Sequence, residues 1–114
     1  MDDCIFCQII EGKLPGTKLY EDDSVVAIKD KNPAAPVHVL IMPREHIPSI
    51  KDIQSSHANV LFKMFETANN LAKELGITDR GYRLTINCGP WAGQSVYHLH
   101  LHLLGGRAMS WPPG

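Results

Sequence analysis

From Tyr97 to Leu104 the chain reads Tyr-His-Leu-His-Leu-His-Leu-Leu, so His98, His100 and His102 alternate strictly with Leu99, Leu101 and Leu103. A period of two is the mark of a β-strand, whose successive side chains project from opposite faces. The segment from Val96 to Leu104 is therefore expected to be a strand that turns its leucines toward a core and its imidazoles the other way. Strands are ordinarily filled with β-branched and aromatic residues, and an uncommitted one rarely spends three alternating positions on histidine. Imidazole titrates near neutrality and serves as nucleophile, general acid or base, or metal ligand. The row points to phosphoryl-type chemistry or metal binding rather than to surface decoration.

Around this strand the hydrophobic pattern predicts an α+β domain. Apolar residues at 5, 6, 9 and 10, halted by Gly12, predict a short helix over Cys4 to Glu11. Lys18 to Glu21 and Ser24 to Asp30 read as two strands joined by Asp22-Asp23. Val37 to Met42, an apolar run broken only by His38 and stopped by Pro43, suits a central strand. Val60, Leu61, Met64, Phe65, Ala68, Leu71, Ala72 and Leu75 form a stripe along one long helix from Ser56 to Leu75, with serine as N-cap candidate and Gly76 just past the end. Phe62 falls off the stripe, as a subunit contact or a lone exposed aromatic. Gly81 to Asn87 reads as another strand, and Cys88 to Gly93 as a loop. Five strands, mostly adjacent in sequence, predict an antiparallel sheet with the long helix on one face.

With 114 residues, the chain is expected to be a single domain over 1–114. A net charge of −1 with both signs dispersed supplies no basic stripe, which argues against nucleic acid as a partner. No apolar run approaches the roughly 18 residues of a membrane span, and the start Met1-Asp2-Asp3-Cys4 lacks the features of a secretion signal. A cytoplasmic location with no membrane partner is the expectation. Three cysteines, two of them in Cys4-x-x-Cys7, suggest a metal site or reduced thiols rather than structural disulfides.

Several positions carry two readings. Gly93-Gln94-Ser95 could cradle a phosphate with backbone N–H groups or simply initiate a strand. Asp30 could accept from both ribose hydroxyls or cap an Asx-turn. His38 needs a partner inside an apolar strand, either a catalytic imidazole or a buried carbonyl. Cys4 and Cys7 need two histidines to complete a tetrahedral zinc site, and His38, His46, His57, His98 and His102 are all candidates; the rival is two buried thiols.

The segment Gln94 to Arg107, with His98-x-His100-x-His102, resembles the signature of the histidine triad (HIT) superfamily. Gly105-Gly106-Arg107 and the terminal Trp111-Pro112-Pro113-Gly114 resemble its Hint branch of nucleoside phosphoramidases. Tyr20-Glu21-Asp22-Asp23, Asp30, Pro33-Ala34-Ala35-Pro36-Val37-His38, Gly81-Tyr82-Arg83 and Asn87 match residues of the same branch. The resemblance implies a homodimer whose sheet continues across the two protomers, with a purine nucleotide site in each. It implies that His100 attacks the α-phosphorus to form a nucleotidyl-imidazole that water hydrolyses, with a relay through His38. His102, Asn87 and the backbone of Gly93 and Ser95 would hold the phosphate, with Gln94 beside them, and Ser95 would protonate the departing amine. Asp30 would grip the ribose, Ile5, Phe6, Ile9 and Ile28 would form the base slot, and Trp111 would reach the partner's leaving-group side.

Ile28 and Lys31 depart from the aromatic and apolar residues usual beside the base. Chains with the N-terminal cysteine pair resemble a zinc-binding subset of the superfamily whose other ligands match His46 and His98. Zinc there is implied as structural, and no cofactor is implied for catalysis. The expected function is hydrolysis of the P–N bond of purine nucleoside 5′-monophosphoramidates. The alternatives are a dinucleoside polyphosphate hydrolase or nucleotidyl transferase of a sister branch, and a nucleotide-binding or zinc-stabilised interaction module.

Overall fold

A computed structural model describes residues 3–114. Met1 and Asp2, part of the start read above as lacking a secretion signal, lie outside the described residues. The elements are α1 (Ile5–Ile10), β1 (Lys18–Glu21), β2 (Val25–Lys29), β3 (Val37–Pro43), α2 (Ala58–Glu74), β4 (Arg83–Thr85) and β5 (Leu101–Gly105). The strands form one antiparallel sheet in the order β1-β2-β3-β5-β4. The expected α+β architecture, with β3 central, is the one observed.

The alternation along each strand decides which helix it faces. Val25 and Ala27 of β2, Val39 and Ile41 of β3, and Leu101 and Leu103 of β5 pack in one core with Met64, Ala68, Leu71 and Ala72 of α2. The opposite faces of β2 and β3, through Val26, Ile28, Leu40 and Met42, pack in a second core with Phe6 and Ile9 of α1. Each apolar side chain fully buried in this way contributes about 1.5–3 kcal/mol. The short helix is thus the cover of the face that also carries the imidazoles.

Helix α2 ends as its sequence requires. Gly76 sits at φ +73, Gly76 N–H donates to Lys73 O and Ile77 N–H to Ala72 O, a Schellman arrangement that delivers Ile77 into the core. Its start corrects the expectation: residues 55–57 form a 3-10 turn, and Gln54 with His57, not serine, makes the capping pair. The buried face includes Thr67, whereas Phe65 and Leu75 lie at the exposed margin and Phe62 is 66 % exposed.

Two strands are shorter than expected. β4 covers Arg83–Thr85 rather than Gly81 to Asn87, because Gly81 adopts φ +105 and the ladder stops at the Thr85 and His102 pair. β5 begins at Leu101 rather than Val96. Beyond Leu101 its neighbour is the end of β3, where Pro43 has no N–H to give. Leu99 N–H instead donates to Ile47 O at 2.7 Å, outside the ladder. The leucines still face the α2 core, so alternation survives without the sheet.

Candidate active site and metal centre

Residues opposed across an antiparallel ladder share a face, and Leu40 opposes His102. Leu40, His102 and, two residues back along β3, His38 therefore lie on the α1 side. Asp30, just past β2, is tied there by its N–H to His38 O at 3.0 Å. Its carboxylate does two things at once: Oδ1 accepts from Asn32 N–H at 2.8 Å, the Asx-turn, and Oδ2 lies 3.3 Å from His38 Nε2.

The hydrogen-bond partners fix the protons on three rings. His100 Nδ1 lies 2.8 Å from His98 O, and a carbonyl can only accept, so Nδ1 carries the hydrogen and Nε2 keeps its lone pair. Burial lowers the His100 pKa below the ordinary histidine value, against the opposing pull of the His98 carbonyl and of Asp30. The neutral ring is thus the form at neutral pH. Phe6 stands edge-on to it with ring centres 5.0 Å apart, which contributes to that desolvation.

Ala34 N–H donates to His38 Nδ1 at 3.0 Å, so neutral His38 carries its hydrogen on Nε2, 2.9 Å from His102 Nδ1. His102 Nδ1 must then accept, and its own hydrogen sits on Nε2. That Nε2 is buried with no partner among the described residues. Burial first, and the neighbouring His100 and His38 next, push the His102 pKa down to about 4; burial lowers that of His38 as well. An unpaired buried N–H costs about 1–3 kcal/mol, a cost removed when a ligand oxygen arrives. The rings of His100 and His102 are 5.0 Å apart, so an available lone pair and an available donor stand side by side. Of the two partners expected for His38, it is an imidazole, that of His102, that meets it, while the His98 carbonyl holds the inner nitrogen of His100.

Gly105-Gly106-Arg107 supports this chain of bonds. A Cβ on Gly105 would lie 2.5 Å from Ile77 Cδ1, and Gly106 adopts φ +91 against Pro36. The turn places Arg107 Nη2 3.0 Å from Ala34 O, bracing the loop whose N–H fixes the His38 tautomer. Sequence reasoning took these residues only as a family mark.

The metal candidates resolve to four. Cys4 caps α1, and its Sγ accepts from Cys7 N–H at 3.3 Å. Cys4 Sγ and His98 Nδ1 are 3.4 Å apart, Cys7 Sγ and His46 Nδ1 3.4 Å, and Cys7 Sγ and His98 Nδ1 3.5 Å. All four ligand atoms lie within 4.8 Å of one another. Zinc bonds of about 2.0–2.3 Å give tetrahedral edges of roughly 3.3–3.8 Å, so the separations suit zinc. His98 Nε2–H donates to Pro43 O at 2.7 Å, leaving Nδ1 as the ligating atom, and burial pushes its pKa down to about 4. Burial also pushes the Cys7 thiol up to about 11, with Cys4 adding to the shift. His57 is spent on Gln54 N–H and Glu45. Asp30, His38 and His102 also converge. Ala34 N–H requires the His38 lone pair on Nδ1, however, so His38 Nε2 is a donor and not a ligand.

The remaining expected residues divide. Phe6, Ile9 and Ile28 meet in the α1 core, whereas Ile5 stands outside it and 50 % exposed. The Ser95 hydroxyl and the Asn87 amide make no hydrogen bond within the described chain. Gly93 N–H is committed to Pro90 O, because Gly93 at φ +88 closes a 3-10 turn over Pro90–Ala92; its N–H does not join a phosphate cradle. Gln94, expected beside the phosphate, is turned inward: its amide bonds Pro48 O, Val96 O and Gly89 N–H. Trp111 is 81 % exposed in the single chain, and Trp91 on the 3-10 turn is wholly exposed.

The family model "Scavenger mRNA decapping enzyme C-term binding" matches residues 3–111. A "14 kDa zinc-binding protein" of Brassica juncea is 45 % identical, with 98 % of this chain aligned to 100 % of its own. The "Purine nucleoside phosphoramidase" of Escherichia coli K12 is 42 % identical, covering 95 % of this chain and 91 % of its own. Among solved structures, a HIT family hydrolase from Clostridium thermocellum shares 55 % identity at a TM-score of 0.94, covering 96 % of each chain. These relatives and the triad geometry define a HIT-type hydrolase domain. The chain belongs to the histidine triad family.

Proposed function

We propose that this protein hydrolyses the P–N bond of purine nucleoside 5′-monophosphoramidates through a nucleotidyl intermediate on His100. The observation that carries this reading is the neutral His100 ring, with Nδ1–H fixed to a carbonyl and Nε2 free, beside an unpaired His102 N–H. Nε2 attacks the α-phosphorus as the P–N bond breaks. The leaving nitrogen takes a proton through the Ser95 hydroxyl, which is refilled from solvent. His102 Nε2–H and the Asn87 amide bind the phosphoryl oxygens as negative charge grows on them. Water then attacks phosphorus, gives its proton to solvent, and releases the nucleotide and the neutral His100 ring.

Phe6, Ile9 and Ile28 form the apolar floor under the base, and Asp30 takes the ribose hydroxyls. His38 is a positioning residue, holding His102 in the tautomer that donates. Cys4, Cys7, His46 and His98 would hold a zinc ion whose chemistry is structural, since four protein ligands close the tetrahedron. The same reading pairs the chain with a second copy, continues the sheet across the pair, and sends the exposed Trp111 toward the partner's leaving group. It also places the protein in the cytoplasm; no helix among the described residues is long and apolar enough to cross a membrane.

The test is release of AMP and amine from an adenosine 5′-phosphoramidate across pH. His100 acts when neutral, and its pKa is lowered, so activity should persist below the ordinary histidine pKa of 6.5 and fall only on further acidification. A kcat/KM profile whose acid limb lies above pH 6.5, or the absence of AMP release, contradicts the reading.

A further inference from the structure

A cleft of about 420 Å³ opens on the metal cluster, with Cys4 and His46 in its wall. We infer that this cleft is the exchange port of the cluster, where a small chelating molecule displaces His46 and takes up the ion. The inference rests on the zinc reading, goes beyond it, and stands apart from the phosphoramidase chemistry.

The segments that hold the ligands also wall the cleft. The start of α1 supplies Asp3, Cys4 and Ile5, the loop after β3 supplies His46, and the approach to β5 supplies Tyr97. Cys7 and His98 do not line it, so the cleft meets the cluster along its Cys4 and His46 edge. The two histidine ligands are held differently. His98 is fully buried, and its Nε2–H is fixed on Pro43 O at 2.7 Å. His46 is half-buried, and its Nε2 makes no hydrogen bond with the described residues. An anchor on the far nitrogen of a ligating histidine is worth about 10–100-fold in metal affinity. His46 is therefore the weaker imidazole attachment and the one at the opening.

The cleft is preformed. Gln94 Nε2 donates to Pro48 O at 2.9 Å and to Val96 O at 3.2 Å, so one buried amide ties the loop after β3 to the approach to β5. Its volume falls within the range of about 300–1,000 Å³ typical of small-molecule sites, which admits a small chelator and not a protein. Ile5 and Tyr97, 50 % and 48 % exposed, offer apolar surface to an aromatic chelator. Asp3 places a carboxylate beside them, which favours the approach of a cation during loading. In the exchange one donor of the chelator replaces His46 Nδ1, a second replaces a cysteine sulfur, and the ion leaves with the chelator. The two thiolates then take protons from solvent, and His46 Nδ1 keeps its lone pair.

The experiment follows transfer of zinc from the loaded protein to the coloured chelator pyridylazoresorcinol. The observed rate should rise with chelator concentration. Ile5→Trp, which plugs the port, should lower the transfer rate about tenfold, a barrier higher by about 1.4 kcal/mol, with zinc content and Tm unchanged. Tyr97→Ala, which widens the port, should raise the rate about threefold. Both side chains are half exposed, so the variants should fold. A rate independent of chelator concentration, or one that neither variant changes, overturns the port while leaving the zinc site in place. Wild-type protein that holds no zinc after loading rejects the zinc reading and the port with it.

Discussion

His100→Ala should lower kcat/KM for an adenosine 5′-phosphoramidate by at least about 10⁴-fold, the scale on which removal of a covalent nucleophile is felt. The size of the effect follows from the geometry. His100 is the histidine whose inner nitrogen is held by a backbone carbonyl and whose outer nitrogen is unpaired, so no neighbouring ring can replace it. His102 has its lone pair turned to His38 and offers only an N–H. His38 has both nitrogens engaged. His98 is shut in among the cysteines, with its other nitrogen on Pro43 O. The fold should tolerate the loss, because His100 lies outside the ladder and the Leu99 and Leu101 contacts with the α2 core remain. Steady-state kinetics beside a thermal melt separates the two effects; a variant retaining a tenth of wild-type activity would contradict the assignment.

The second large effect is expected at the cysteines. Cys7→Ser should reduce bound zinc from about one ion per chain to a small fraction and cost about 3–5 kcal/mol, the size of losing a metal site. For a domain of this size that corresponds to a fall in Tm of roughly 15 °C. The cluster joins α1 to the loop after β3 and to the segment before β5, and the sheet ladder makes none of these connections. It also touches the chemistry. The His98 ring sits in the cluster while the His98 carbonyl holds His100, and Phe6, between the two cysteines, packs edge-on against both rings. Loosening the cluster should therefore lower kcat in the fraction that stays folded. Metal analysis and calorimetry on the same preparations decide the matter. Wild-type protein free of zinc, with a Tm indifferent to Cys7→Ser, would favour two ordinary buried thiols.

What the sequence made legible was whatever depends on local periodicity. The sheet, both helices and the separation of leucines from imidazoles follow from spacings of two and of three to four, and all are found. The failures lie where a tertiary contact overrules the pattern. Residues 96–100 alternate as a strand would, yet Pro43 withholds the donor that a ladder needs and the Ile47 carbonyl captures Leu99. Ser56 has the chemistry of a cap, but a 3-10 turn ahead of α2 gives that task to Gln54 and His57. Among five candidate ligand histidines, spacing could not choose, because His46 and His98 meet the cysteines only once β3 is in place. Gln94 looked like a ligand-facing amide and is a brace. The pairing of His38 with His102 depends on one backbone N–H, at Ala34, which no side-chain pattern announces.

The most direct measurement is peptide-level mass spectrometry of a single-turnover reaction with an adenosine phosphoramidate, quenched under conditions that preserve phosphoramidate bonds. An adenylyl group on His100, formed and lost at rates consistent with turnover, is the predicted result. An adduct on another residue, or substrate consumed with no adduct on any histidine, would contradict it.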